Sequence, residues 1–201
     1  MDIAAYVDRW RTSPFGRLTA APWAVTQAAE AHVAAAIAGL AAAYVVNGDV
    51  AIHTSAAVES GAVVKGPAII GPRCFVAAGA YLRGGVFLDE DCIVGPGAEL
   101  KTSFMFKGSK LAHLNFVGDS ILGAAVNIEA GAIIANYRNE LEDKAIRIVV
   151  DGQVIETGVD KFGALLGDGA RVGANAVIAP GAVIARNARV LRLSLVDQYP
   201  R

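Results

Sequence analysis

Histidine, cysteine and aromatic residues are all scarce in this chain, and each shortage narrows what it can be. Only three histidines and two cysteines occur in 201 residues. A zinc site of the three-histidine kind found in β-helical carbonic anhydrases needs a His followed five residues later by another, and His53 and His113 are far apart with no such pair. Aromatic residues make up 7% of the chain against 54% hydrophobic, so alanine and valine fill the interior, as suits a slender body too narrow for wide rings. Charge is balanced at −1 with a pI near 6.3, which argues against a nucleic-acid or anionic-membrane surface. The uncharged run from Val33 to Val46 is too short and too alanine-rich to span a membrane. Met1-Asp2-Ile3 is not followed by the basic and apolar stretches of a secretory leader, so the expected compartment is the cytoplasm. Neither a nucleophile elbow nor a phosphate-binding Gly-Lys-Ser/Thr loop is present.

What is present is a six-residue beat. A small or β-branched residue stands two places before a larger aliphatic one in Ala56-Ala57-Val58, Ala62-Val63-Val64, Ala68-Ile69-Ile70, Cys74-Phe75-Val76 and Ala80-Tyr81-Leu82. The pattern continues through Val86-Phe87-Leu88, Cys92-Ile93-Val94 and Ala98-Glu99-Leu100. A spacing of two puts both side chains on one side of a strand. Turn formers such as Gly66-Pro67, Gly71-Pro72 and Gly95-Pro96-Gly97 separate the pairs. The chain therefore winds around a narrow apolar axis, an all-β fold: a left-handed parallel β-helix of hexapeptide repeats. Cys74 and Cys92 fall on the small inward position, which reads them as core filler and not as a disulfide.

The beat has three interruptions. Five-residue steps replace six between Leu100 and Met105 and between Val117 and Leu122, and a long break separates Ile134 from Leu166. Within that break Ile146–Val150, Asp151-Gly152 and Gln153–Ile155 read as a β-hairpin with a type I′ turn. Upstream, residues 1–25 have no clear period, and Thr26 to about Tyr44 reads as a helix that exits at Asn47-Gly48. The expected organisation is an N-terminal helical segment at 1–47, a β-helix at 48–193 with an insertion at about 136–162, and a tail at 194–201.

Chemistry is expected where the beat fails. His32 reads as structural or solvated, and His53 as a solvent-facing residue at one end. His113 lies between the two five-residue steps, where a side chain can be re-aimed into a groove. Lys101, Lys107 and Lys110 precede it and either attract an anionic ligand or form a solvated rim.

Several strings carry a resemblance: Ala80-Tyr81-Leu82-Arg83, Glu99-Leu100-Lys101, Gly108-Ser109-Lys110, His113 through Ser120, Asn127 through Gly131, Ala135 through Arg138, and Lys161 through Asp168. Together they resemble the acetyltransferase domain of the bifunctional sugar-1-phosphate nucleotidylyltransferase/amino-sugar-1-phosphate acetyltransferases, the archaeal type above all. Ala21-Pro22-Trp23 and the helix after it look like the segment that joins the two domains of that family, whose nucleotidylyltransferase domain these residues lack.

The resemblance implies acetyl-coenzyme A as co-substrate and an amino-sugar phosphate, of the hexosamine 1-phosphate kind, as acceptor. His113 would be the general base and Asn136 would hold the sugar or the reacting carbonyl. Arg83, Glu99, Lys101, Phe116, Asn127, Tyr137, Lys144 and Arg147 would surround the substrate, with Ala130 and Ala174 lining the coenzyme groove. A homotrimer is implied, the groove lying between neighbouring subunits, and no metal is required. The alternative is a catalytically silent trimeric partner of a separate nucleotidylyltransferase. Against the family, Phe116 replaces a tyrosine, Arg147 a lysine, and Glu129 a glycine. Glu129 would set a carboxylate beside Asn127 and repel a phosphate unless it faces outward.

Overall fold

A computed structural model describes residues 1–150 and 152–199, so Asp151 of the expected hairpin turn and the last two residues of the expected tail lie outside the described residues. Three stacks of short parallel strands form the faces of a prism. The first face begins with Tyr44–Asn47 and Val50–His53 and runs through Ala68–Ile70, Val86–Leu88, Phe104–Met105, Ile121–Leu122 and Ala164–Leu166 to Ala182–Ile184. The second runs from Ala57–Val58 to Arg189–Val190, and the third from Val63–Val64 to Leu195–Val196. Ala57 pairs with Phe75, eighteen residues on, which is three hexads per coil.

Every large position of the beat from Ile70 to Ile184 is buried along the axis, joined by the small positions, including Cys74 and Cys92. Both cysteines are free. Where the five-residue steps fall, the coil shortens to seventeen residues: Phe87 pairs with Phe104, and Phe104 with Ile121. Serine hydroxyls stand in at these shortened corners. Ser103 Oγ accepts from the Ser120 N–H at 3.0 Å, and Ser120 Oγ accepts from the Ala164 N–H at 3.0 Å. Each buried amide that the missing residue leaves without a strand partner is thereby satisfied.

The helix expected from Thr26 to Tyr44 is shorter. It forms as Pro22–Gln27 and Ala29–Ile37, broken at Ala28, and Tyr44–Asn47 is a strand antiparallel to Val50–His53. β-branched Val45 and Val46 favour the strand, and Gly48 at φ 59° supplies the tight turn that Asn47-Gly48 was expected to provide as a helix exit.

A second core covers the outer side of the first face. Ala51, Ile69, Phe87, Phe104, Ile121 and Leu165 point outward there and are buried under Ile3, Val7, Trp10, Phe15 and Trp23. Phe15 meets Phe87 and Phe104 edge-on at 5.0 and 4.9 Å. The helix presses so close that a Cβ on Gly85 would stand 2.5 Å from the Glu30 nitrogen, which explains a glycine at that corner. The insertion does carry a hairpin, Arg147–Val150 against Gln153–Glu156. Ile146 and Ile148 anchor it in the same second core.

Candidate active site

The two shortened corners carry Lys101 and Asp119 one coil apart, and both side chains turn toward the same spot. Lys101 Nζ donates to the Asp119 carboxylate at 2.8 and 3.1 Å, and Asn136 Nδ2 donates to the same carboxylate. Asp119 is 5% exposed, so this cation and amide are held by a nearly buried anion. Asn136 leaves the last coil before the insertion and packs over Gly118, where a Cβ would come 2.7 Å from its amide carbon. One strand earlier in the third face, Arg83 pairs with Glu99 at 2.7 Å and lies over the Tyr81 ring. A cleft of about 400 Å³ opens among Arg83, Lys101, Phe116, Asn136, Tyr137, Asp160 and Lys161. Through Lys101, Asp160 and Lys161 it continues into a hollow walled by Gln27 and Glu30 of the N-terminal helices.

The structure thus brings Arg83, Lys101, Phe116, Asn136 and Tyr137 together, with Glu99 holding Arg83. His113 is elsewhere. It is exposed, at the corner that precedes Phe116–Gly118, whereas Asn136 sits at that strand's far end. His113, Ala130 and Ala174 form a column of their own: the His113 carbonyl accepts from Gly131, that of Ala130 from Asn175, and that of Ala174 from Leu193. Asn127 lies on the second face, in register between Lys110 and Arg171.

Lys144 and Arg147 are occupied within the insertion. Lys144 donates to the Asn139 and Leu141 carbonyls beside the Tyr137 ring. Arg147 pairs with Asp143 at 2.7 Å and Glu156 at 2.8 Å. Glu129 faces outward at the corner: it accepts from the Ala174 N–H at 2.9 Å and pairs with Arg192 at 2.8 Å. The Ala174 amide, with Arg192 beside it, holds this carboxyl below the usual range. Its charge is thereby matched away from the cleft at the shortened corners.

Asp160 and Lys161 line the cleft and Asp119 lines the hollow it opens into, and none of the three is among the expected site residues. Asp119 and Lys161 both lay inside the strings that carried the resemblance, which is the signal that could have found them. Among the described residues no helix is long and apolar enough to cross a membrane, and no group of three or more His, Cys, Asp or Glu side chains is placed to hold a metal ion.

A hexapeptide-repeat β-helix with a cleft of paired cations and carboxylates at its shortened corners is the class of protein that these features define. No family profile matches the chain. Its sequence is similar to a bifunctional sugar-1-phosphate nucleotidylyltransferase/acetyltransferase of Sulfurisphaera tokodaii, 42% identical over 77 residues, which is 38% of this chain and 19% of that protein. It is also similar to the bifunctional protein GlmU of Methanococcus maripaludis, 32% identical over 100 residues, half of this chain and 24% of that one. The chain therefore matches at most about a quarter of the length of these relatives. A hexapeptide transferase family protein from Anaplasma phagocytophilum aligns with a TM-score of 0.49 at 14% identity, over 76% of this chain and 78% of that one. The resemblance read from the strings stands: this chain is similar to part of the bifunctional nucleotidylyltransferase/acetyltransferases.

Proposed function

We propose that the chain is an acetyl-coenzyme A-dependent acyltransferase whose acceptor is the amine of an amino-sugar phosphate of the hexosamine 1-phosphate kind. The observation that carries this reading is the cleft in which Arg83, Lys101 and Lys161 converge beside Asn136 and Tyr137. Guanidinium and ammonium groups there suit a sugar phosphate, and the Asn136 amide suits hydroxyl or carbonyl groups. His113 takes the proton shed by the amine nitrogen as it bonds to the thioester carbonyl carbon. The carbon–sulfur bond then breaks, and the sulfur takes the proton from the His113 imidazolium, so the coenzyme leaves as its thiol.

Within one chain His113 and Asn136 stand at opposite ends of a strand, so this reading requires a second copy. Trimerisation around the third face would set His113 of one copy against Arg83 and Lys101 of the next. The outer column of that face, Val63, Tyr81, Phe116, Ile133, Val177 and Leu195, is apolar apart from Glu99. Leu195 is 67% exposed, which favours self-association.

Acetyl transfer to glucosamine 1-phosphate tests the proposal. His113→Ala is expected to lower turnover by about 10²–10⁴-fold, and undiminished turnover would remove His113 from the mechanism. A second reading, a silent partner of a separate nucleotidylyltransferase, draws on two observations: Arg83, Lys101 and Arg147 already have carboxylate partners, and Phe116 offers no hydroxyl. Failure of acetyl-coenzyme A to raise the melting temperature, with co-purification of such an enzyme, would favour it. Binding at 100 times the Kd would add about 2.7 kcal/mol.

A further inference from the structure

The cleft at the shortened corners is open at its inner end. There it runs into a hollow of about 580 Å³ between the coils and the N-terminal helices, within the range of small-molecule sites, about 300–1,000 Å³. Gln27 and Glu30 line the hollow from the helices, Thr102 and Asp119 from the coil corners, and Asp160 and Lys161 from the end of the insertion. Asp119 is taken up by Lys101 and Asn136. The side chains of Gln27, Glu30, Asp160 and Lys161 make no hydrogen bond or ion pair among the described residues.

Thr102 is nearly buried beneath this hollow, 9% exposed, yet its hydroxyl makes no hydrogen bond among the described residues. A buried hydroxyl without a partner bears the cost of its lost hydration. Its φ of 52° is left-handed, and among the described non-glycine residues in that region it alone is β-branched, where the steric cost is greatest. Backbone strain of this kind is concentrated at sites that clamp a ligand. Gly84 keeps the floor open, since a Cβ there would stand 2.8 Å from Thr102 Oγ1 and 3.8 Å from Glu30 Oε1.

We infer that the hollow is a second acceptor subsite, for an uncharged, hydroxyl-bearing ring joined to the phosphate-bearing amino sugar. The subsite rests on the amino-sugar phosphate reading of the cleft. The Glu30 and Asp160 carboxylates accept from sugar hydroxyls, while the Gln27 amide and the Thr102 hydroxyl can both donate and accept. Hydrogen bonds to ionised groups are the stronger kind. The same two carboxylates repel a further phosphate, which argues against a diphosphate ligand. Among the described residues no aromatic side chain lines the hollow for a nucleobase to stack upon. Ala28, Ala31 and Val159 instead offer apolar contact to the C–H face of a sugar ring.

Calorimetric titration of the full chain tests the subsite, with glucosamine 1-phosphate and with derivatives that carry a glucose unit on each free ring hydroxyl in turn. At least one derivative is expected to bind about tenfold more tightly than glucosamine 1-phosphate. That preference should disappear in the double variant Gln27→Ala/Glu30→Ala. The control Glu142→Ala, which removes another exposed carboxylate without a partner, should keep it. Gln27 and Glu30 are exposed on helices, where alanine is favourable, and an unchanged melting temperature verifies that the double variant folds. Glucosamine 1-phosphate bound at least as tightly as every derivative overturns the subsite and leaves the amino-sugar phosphate reading standing. A preference that survives the double substitution overturns its assignment to the hollow. Binding of none of these compounds overturns that reading and the subsite together.

Discussion

Lys101 Nζ lies 2.8 Å from the Asp119 carboxylate, and the two residues occupy the corners of adjacent coils that are each one residue short of the regular eighteen. With 18% and 7% of their side chains exposed, the two are screened far less than a surface pair. A double-mutant cycle of Lys101→Met and Asp119→Asn is expected to give a coupling energy of about 1–3 kcal/mol in urea denaturation. Each single variant should be less stable than the double, because it leaves one charge or amide behind without its partner. Additive effects would reduce the pair to a surface contact.

Ser120 offers a cleaner test of why the shortened corners are tolerated. Its hydroxyl accepts from the Ala164 N–H at 3.0 Å and donates to the Gly118 carbonyl at 2.7 Å, all in the interior. Ser120→Ala leaves that amide without an acceptor and should cost about 1–3 kcal/mol. Loss of protection at the Ala164 amide in hydrogen exchange would accompany it.

Glu129 sets a pH dependence. Its carboxyl is held below the usual range first by the Ala174 amide and then by Arg192. A depressed folded pKa means stability that is present above the unfolded value, about 4.3, and is lost as pH falls through the folded one. The difference in melting temperature between the native chain and Glu129→Gln should therefore be level at neutral pH and shrink below about pH 4. High salt should also diminish it, since the pair with Arg192 is exposed. A difference that grows on acidification would contradict the assignment.

The two cysteines should be silent toward thiol reagents. Cys92 donates to the Phe106 carbonyl at 3.3 Å, and its hydrogen bonding with Cys74, together with burial, pushes its thiol pKa upward. Only the thiolate reacts, so modification by a chromogenic disulfide is expected to follow global unfolding in denaturant. Rapid labelling of the native chain would show that these coils open locally.

The axial core was legible because it is periodic. Val58, Val64 and their successors announce a strand every six residues, and each stacks on the residue one coil away. The interruptions were legible as departures from that period and drew attention to His113 and the lysines before it, whereas Asn136 was legible through the family resemblance. Asp119 lay inside the string from His113 to Ser120, but periodicity does not mark it, since its contact is with Lys101 eighteen residues earlier. Residues 1–25 were opaque for a related reason. Trp10 and Phe15 have no period because they fit the outer side of the first face, on rings at Phe87, Phe104 and Phe106. Tyr44–Asn47 was masked by the alanine-rich run before it. The site was half legible: the charged cleft assembles within one chain, whereas His113 stands apart from it.

The N-terminal arm has a consequence for how the molecule comes apart. A solenoid held only by contacts between adjacent coils can fray from either end, one repeat at a time. Here the arm bridges coils far apart along the axis: Asp168 donates its N–H to the Tyr6 carbonyl at 3.0 Å, Arg9 grips Asp89, and Val25 and Ala29 share a core with Ala51 and Ile69. Opening one end must strip part of that arm. Such a splint should make a string of semi-independent units melt as a single cooperative body.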